Sequence, residues 1–428
     1  MPILENNKQK IITLIFSILP LSFIGGNPFI NLNIILLIFF SLIFFNKRIF
    51  NIDFNIFDKL MFLFFLTLLL TGTLNSIFFY FPEKSIYSGE IILKSFFFLR
   101  FILLYFIIRF LLYNKILDLK FFFIAASLCC LFVSLDVILQ FVAGKDIFGY
   151  ESFSRRYPGP FGDEAISGSY LQRFSLFILF LIPAFFPKLK SKGPLTLAFL
   201  TFILFFCATL LSGNKFPFVM LFLSLLILLS ILIESKKFIL FLIFFSLIFF
   251  VFYKNSTEVK NNFSNFYNKI SQVQIYSTNV ISSFKYGTEI DIPNVWLKEM
   301  HNGVIAFNTK KIFGGGVKSF KVSCIKVAKY SCAPHPHNYH IEILISVGIF
   351  GYLILMIIFL KYFYNIRVKK YFISKKSESL VLLIFSTLFF IEYFPLRTTG
   401  SFFSTGNATY FFIIMSIAIS LTFKKIDK

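Results

Sequence analysis

Long apolar runs alternate with short basic breaks along most of the chain, and that alternation predicts the fold. Many runs reach about 17 to 25 residues, enough for an α-helix to cross roughly 30 Å of hydrocarbon with its backbone bonded internally. Read by hydropathy, they predict about twelve transmembrane helices. The expected spans are approximately 11–26, 29–45, 57–79, 90–111, 120–143, 170–187, 194–211, 216–234, 238–253, 340–361, 379–395 and 406–423. The run from Ile11 to Gly26 has no small-residue cleavage site and reads as a retained helix, not a signal peptide. The expectation is an all-α polytopic membrane protein, one integral unit over 1–428. Within it lie a polar loop at 144–170 and a large polar segment at 254–339, before the tenth span.

Lysine and arginine in the short loops set the orientation. With Lys8 and Lys10 in the cytoplasm, the same side receives Lys47, Arg48 and Lys59, then Lys115 and Lys120, then Lys188, Lys190 and Lys192. Lys236, Lys237, the cluster from Lys361 to Lys376, and Lys424, Lys425 and Lys428 follow the same rule. Both termini are then cytoplasmic, and the polar segments 144–170 and 254–339 face the periplasm of an inner membrane. Composition sharpens this picture. The chain is 57% hydrophobic and 14% charged, where soluble chains carry about 25% charged residues. The net charge of +22 reads as a topology signal and a match to anionic membrane lipids, with no nucleic acid among the partners.

Candidate chemistry gathers on the periplasmic side. Three of the four histidines, His335, His337 and His340, sit in the run CAPHPHNYH at 332–340, and His301 lies in the same long segment. Cys324 and Cys332 lie there too and are placed to close a short loop in an oxidising compartment, the alternative being two free thiols. Cys129, Cys130 and Cys207 fall inside spans and read as packing residues. A His-x-His pair with a third histidine is also ligand-like, but Pro336 stiffens it and no partner cluster of carboxylate or thiolate is evident, so no metal and no cofactor is expected. The plain alternative is a helix entry at a wet interface, with His and Asn capping the first turn.

His337 and Asn338 are followed nine residues later by Gly348 and then Gly351, an HN–x9–GxxG pattern. Upstream stand IFGGGVKSF at 312–320 and, further away, RYPGPFGDE at 156–164 running on to Gly168 and Arg173, and PLRTTGSFFST at 395–405. Together these segments resemble the O-antigen ligase family, which also includes O-antigen polymerases and related periplasmic glycosyltransferases. The resemblance implies transfer of a glycan from an undecaprenyl-pyrophosphate-linked donor to a sugar hydroxyl. The acceptor would be lipid A-core for a ligase or another lipid-linked glycan for a polymerase; the HN–x9–GxxG match leans to the ligase. The final position of that pattern is usually small or aliphatic in the family, whereas Tyr352 stands here.

Such a transfer needs a base for the acceptor hydroxyl and cations for a leaving group that gains charge. His337 takes the family's catalytic position, with His335, Asn338, His340 and His301 as supporting candidates. Arg156 and Arg397 stand in matching surroundings and are the leading pyrophosphate candidates; Arg155 and Arg173 flank the same loop. Lys215, in the turn SGNK at 212–215, stands where relatives commonly carry arginine. Arg100 lies mid-span, open either to Asp136 or to a lipid phosphate. A lipid-linked oligosaccharide flippase or transporter is the other function class, but it would be expected to carry ionisable residues through both halves, often with internal symmetry.

The orientation makes a direct prediction. Single cysteines at His337, Cys324 and Arg156 should react with an impermeant thiol reagent from the periplasm, and those at Lys190 and Lys370 should not. Protection of position 337 in intact cells would overturn the layout.

Overall fold

An apolar run has one inexpensive way to bury its backbone, which is to bond every N–H and C=O within its own helix. The computed structural model describes residues 2–80, 88–152, 156–189, 191–286, 292, 294–327, 332–368, 377–397 and 400–423, and among them the architecture is helical with no strand. Arg155, Lys190 and Lys370 lie outside the described residues. The first group of helices is α1 (Pro2–Ser17), α2 (Leu19–Ile24), α3 (Asn27–Phe45), α4 (Ile56–Asn75), α5 (Ser88–Phe98) and α6 (Arg100–Tyr113). Next come α7 (Leu119–Ala143), α8 (Ser167–Phe174), α9 (Phe177–Phe185), α10 (Lys192–Leu211), α11 (Lys215–Leu232) and α12 (Ser235–Asn255). The polar segment supplies α13 (Thr257–Tyr286), α14 (Val295–Asn308) and α15 (Phe320–Val327). The chain then returns through α16 (Tyr339–Val368), α17 (Ser377–Glu392) and α18 (Thr405–Phe423).

Among the described residues, ten helices or end-to-end helix pairs are long and apolar enough to cross a membrane. They match ten of the expected spans. The other two expected spans fall on α1–α2 and on α17; α1 and α17 have 16 residues each, and α1 stops before Ile18, which leads into the Pro20 turn. α18 is the most enclosed of the spans, packed on α6 and α17, and α4 packs along α16. Edge-to-face phenylalanines bring the end of α5 against α18 as well: Phe98 meets Phe403 at 5.0 Å and Phe412 at 5.9 Å between ring centres.

At the start of α4 a fully buried carboxylate, Asp58, is satisfied on all sides. Arg109 of α6 binds both its oxygens, at 3.0 and 2.7 Å, and the Tyr105 hydroxyl donates at 2.8 Å. Asp58 also accepts the Asn55 amide at 2.9 Å, while Asn55 caps the helix. A buried pair so fully bonded acts as a structural staple.

At the other end of α4 the decisive feature is a break in α16. Gly348 has φ +66, which interrupts the helix and frees backbone groups on both sides of it. The segment 311–316 supplies their partners. Gly315 and Gly316 amides donate to the Ile345 and Ser346 carbonyls, both at 2.8 Å, and the Lys311 and Ile312 carbonyls accept from Ile349 and Phe350 at 2.8 and 3.2 Å. Glycine is required here for space as well as conformation. A side-chain carbon on Gly348 would collide with the Ile312 carbonyl, and one on Gly316 would come within 2.9 Å of the Gly72 Cα on α4. Asn75 seals the junction: its amide donates to the Gly314 carbonyl at 3.0 Å, and its carbonyl oxygen accepts from the Lys310 ammonium.

Gly348→Ala should therefore cost at least about 2 kcal/mol, combining a left-handed penalty with a backbone clash. Thermal unfolding in detergent checks this, with Gly193→Ala, where nothing lies within 4 Å, as the control expected to unfold like the parent.

Candidate functional site

The histidine run enters α16 from a tightly held approach. Cys324 of α15 is bonded to Cys332, and the Ala333 amide donates to Glu299 of α14 at 3.0 Å. Cys324 is fully buried as well as bonded, so the thiol labelling expected at that position is not available to the native residue. His337 turns the chain with φ +54, in the left-handed region that few residues besides glycine, asparagine and histidine adopt. Asn338 then caps α16, its side-chain oxygen accepting the Ile341 amide at 3.1 Å and its NH2 reaching the Pro395 carbonyl at 2.9 Å.

The rings of His335 and His337 lie 4.4 Å apart. Burial pushes His335 down to about 4, helped by His337 and by Lys318, and its Nε2 is buried without a hydrogen-bond partner. Burial also lowers His337, partly offset by the carboxylate of Glu299. Both imidazoles are therefore held neutral, and a neutral imidazole can accept a proton.

The other two histidines are committed elsewhere. His340 uses one nitrogen on the Tyr393 carbonyl at 3.1 Å and the other on the Tyr352 hydroxyl at 3.0 Å. The carbonyl can only accept, so Nε2 carries the proton and Nδ1 accepts from Tyr352. Tyr352, directly after Gly351, thus holds His340. His301 bonds Tyr276 at 2.8 Å and ties α14 to α13; burial lowers its pKa.

The arginines behave less uniformly than the sequence suggests. Arg173 and Arg397 both bind Glu392, a fully buried carboxylate, at 2.6 and 3.0 Å. Arg173 also donates to Asn407 at 2.7 Å, while the Arg397 Nε is buried without a partner. Two guanidiniums on one carboxylate leave a net positive charge in the interior. Arg156 is exposed beside Tyr157, whose amide bonds the Ser212 carbonyl at 3.3 Å. Lys215 opens α11 next to Asn214, which accepts the Gly168 amide at 3.2 Å. Arg100 donates to Phe97 and Thr405 and lies 4.6 Å from the centre of the Phe101 ring. The pairing with Asp136 does not form: Asp136 instead accepts the Ile147 amide at 2.7 Å.

Four sequence-distant segments are thereby joined. Gly168 meets the 212–215 turn, Arg173 meets Arg397 through Glu392, and Asn338 meets Pro395. Glu342, buried one turn into α16, accepts the Ser401 hydroxyl and the Phe402 amide, both at 2.6 Å. Glu299, Glu342, Glu392 and Lys318 were not among the candidates from sequence. Glu342 and Glu392 had a usable signal, since acids in apolar runs are seldom neutral choices. Among the described residues no group of three or more His, Cys, Asp or Glu is placed to hold a metal ion.

Removing the shared carboxylate should expose its role. Glu392→Gln leaves two buried guanidiniums without a counter-charge, a loss of about 3–5 kcal/mol, to be read as a lowered unfolding midpoint in detergent. An unchanged midpoint would show that solvent or lipid already compensates them.

The sequence matches no protein-family model and no curated protein.

Proposed function

We propose that the protein is a membrane glycosyltransferase of the O-antigen ligase type, moving a glycan from undecaprenyl pyrophosphate to a sugar hydroxyl. The observation that carries this reading is the meeting of the motif-bearing segments: Asn338, next to His337, bonds Pro395, the Arg173–Glu392–Arg397 cluster ties 173 to 397, and 311–316 bonds the backbone on both sides of Gly348. On this reading α1–α2 and α17 complete twelve spans, the termini are cytoplasmic, and the cluster faces the periplasm.

The chemistry follows from the groups available. Neutral His337 takes the proton of the acceptor hydroxyl as that oxygen attacks the anomeric carbon of the donor. The bond from that carbon to the pyrophosphate oxygen breaks, and the electron pair leaves with the lipid pyrophosphate. Charge grows on the leaving group, which nearby cations stabilise. The unbalanced positive charge of the two arginines supports this, and exposed Arg156 is free to move toward a ligand that buried Arg173 is not. His335 lies against His337 and fixes its ring. The acceptor is lipid A-core on the ligase reading and a second lipid-linked glycan on the polymerase reading; product analysis with each acceptor in turn decides between them. A flux assay in vesicles, run beside a transfer assay, addresses the flippase reading.

His337→Ala should reduce transfer by on the order of 10² to 10⁴ while membrane insertion is retained, with His335→Ala and His340→Ala less severe. The pH profile carries a second signature. The active form is the unprotonated one, and burial holds its pKa below the ordinary 6.5. The acid-side loss of activity should thus be centred below pH 6.5, lower than an ordinary histidine would give. Near-normal transfer by His337→Ala would end the assignment.

A further inference from the structure

The segment that fills the break in α16 ends at Lys318, and its surroundings are unlike those of the other cations. The Val317 amide reaches the Ser95 hydroxyl of α5 at 3.5 Å, and the chain then turns through Lys318 with φ +60. Among the described residues only four besides glycines have positive φ, and two of them are Lys318 and His337. A long side chain held in this conformation is a strained arrangement of the kind that clusters at working sites. Lys318 is half-buried, and among the described residues its ammonium has no hydrogen bond and no ion pair. Its charge is felt by Lys94 of α5, by His335 and by Glu342. None of them neutralises it. Lys94 pairs with Glu90, and the Glu342 carboxylate is taken up by Ser401 and Phe402.

A half-buried ammonium with no ion pair among the described residues, whose field reaches a second lysine and a carboxylate already bonded to Ser401 and Phe402, is suited to an anionic ligand. Glu392 holds both Arg173 and Arg397 in the interior, so they add positive field there and leave direct contact with a phosphate to another cation. We infer that Lys318 is a phosphate-binding residue, holding the pyrophosphate of the lipid-linked donor beside His335 and His337; this rests on the glycosyl-transfer reading. Its side chain provides a flexible point charge with three donors, suited to a group whose charge shifts as its bond to sugar breaks.

The test uses the purified full chain in detergent and labelled undecaprenyl pyrophosphate, with undecaprenol and phosphorylated lipid A-core as parallel probes. Lys318→Asn and Lys318→Gly both accept a left-handed backbone without the charge, whereas Lys318→Arg keeps the charge. The Asn and Gly variants should bind undecaprenyl pyrophosphate about 10-fold or more weakly, Arg should retain most of the affinity, and undecaprenol binding should not change. Parent-like affinity in the Asn and Gly variants overturns the inference and leaves the functional reading standing. So does an equal loss in all three variants, which would indicate the backbone turn, or a loss confined to lipid A-core, which would indicate the acceptor. Failure of the unsubstituted protein to bind undecaprenyl pyrophosphate overturns the functional reading itself.

Discussion

Backbone amides and carbonyls cannot remain unbonded away from water, and the arrangement around α16 depends on how that requirement is met at Gly348. The helix breaks, and the break is repaired by 311–316 with four hydrogen bonds. That repair brings the chain against α4 and α5, where Gly72 and Ser95 make room and contact for it. It also fixes where Lys318 emerges, and through α15 and the Cys324–Cys332 bond it limits where His335 and His337 stand. The glycines of this region are therefore parts of one joint rather than separate turns.

Charge is handled differently at the two ends of the bundle. Asp58 and Arg109 form a closed pair with a tyrosine and a helix cap, and no net charge remains. Arg173, Glu392 and Arg397 form an open group with one charge left over. A low-dielectric interior strengthens whatever field such an imbalance produces.

Much of the fold was legible because membrane helices are set by local composition. Ten of the expected spans coincide with helices long and apolar enough to cross. The spans expected at 11–26 and 379–395 are less regular, since Pro20 begins a new helix after Ile18 and α17 is short. The site was legible as a set of segments, not as a set of bonds. Cys324 and Cys332 were paired by compartment and spacing, and the structure joins them. Spacing could not reveal that IFGGGVKSF fills the break made by Gly348, because the partners are thirty or more residues apart. Nor could it reveal that Glu392 would engage both arginines, or that Asp136 would be taken by a backbone amide and leave Arg100 to Thr405.

The break in α16 also bears on how the protein is made. A helix carrying unbonded carbonyls at Ile345 and Ser346 enters lipid at a cost of several kcal/mol per group. Its partner segment, 311–316, leaves the ribosome earlier, within forty residues of the break. The two can meet before either contacts α4, whose Asn75 is 239 positions away from Gly314. The stretch from α14 through α16 is thus suited to leave the insertion machinery as a unit and dock afterwards, so that biosynthesis completes the joint before the bundle closes around it.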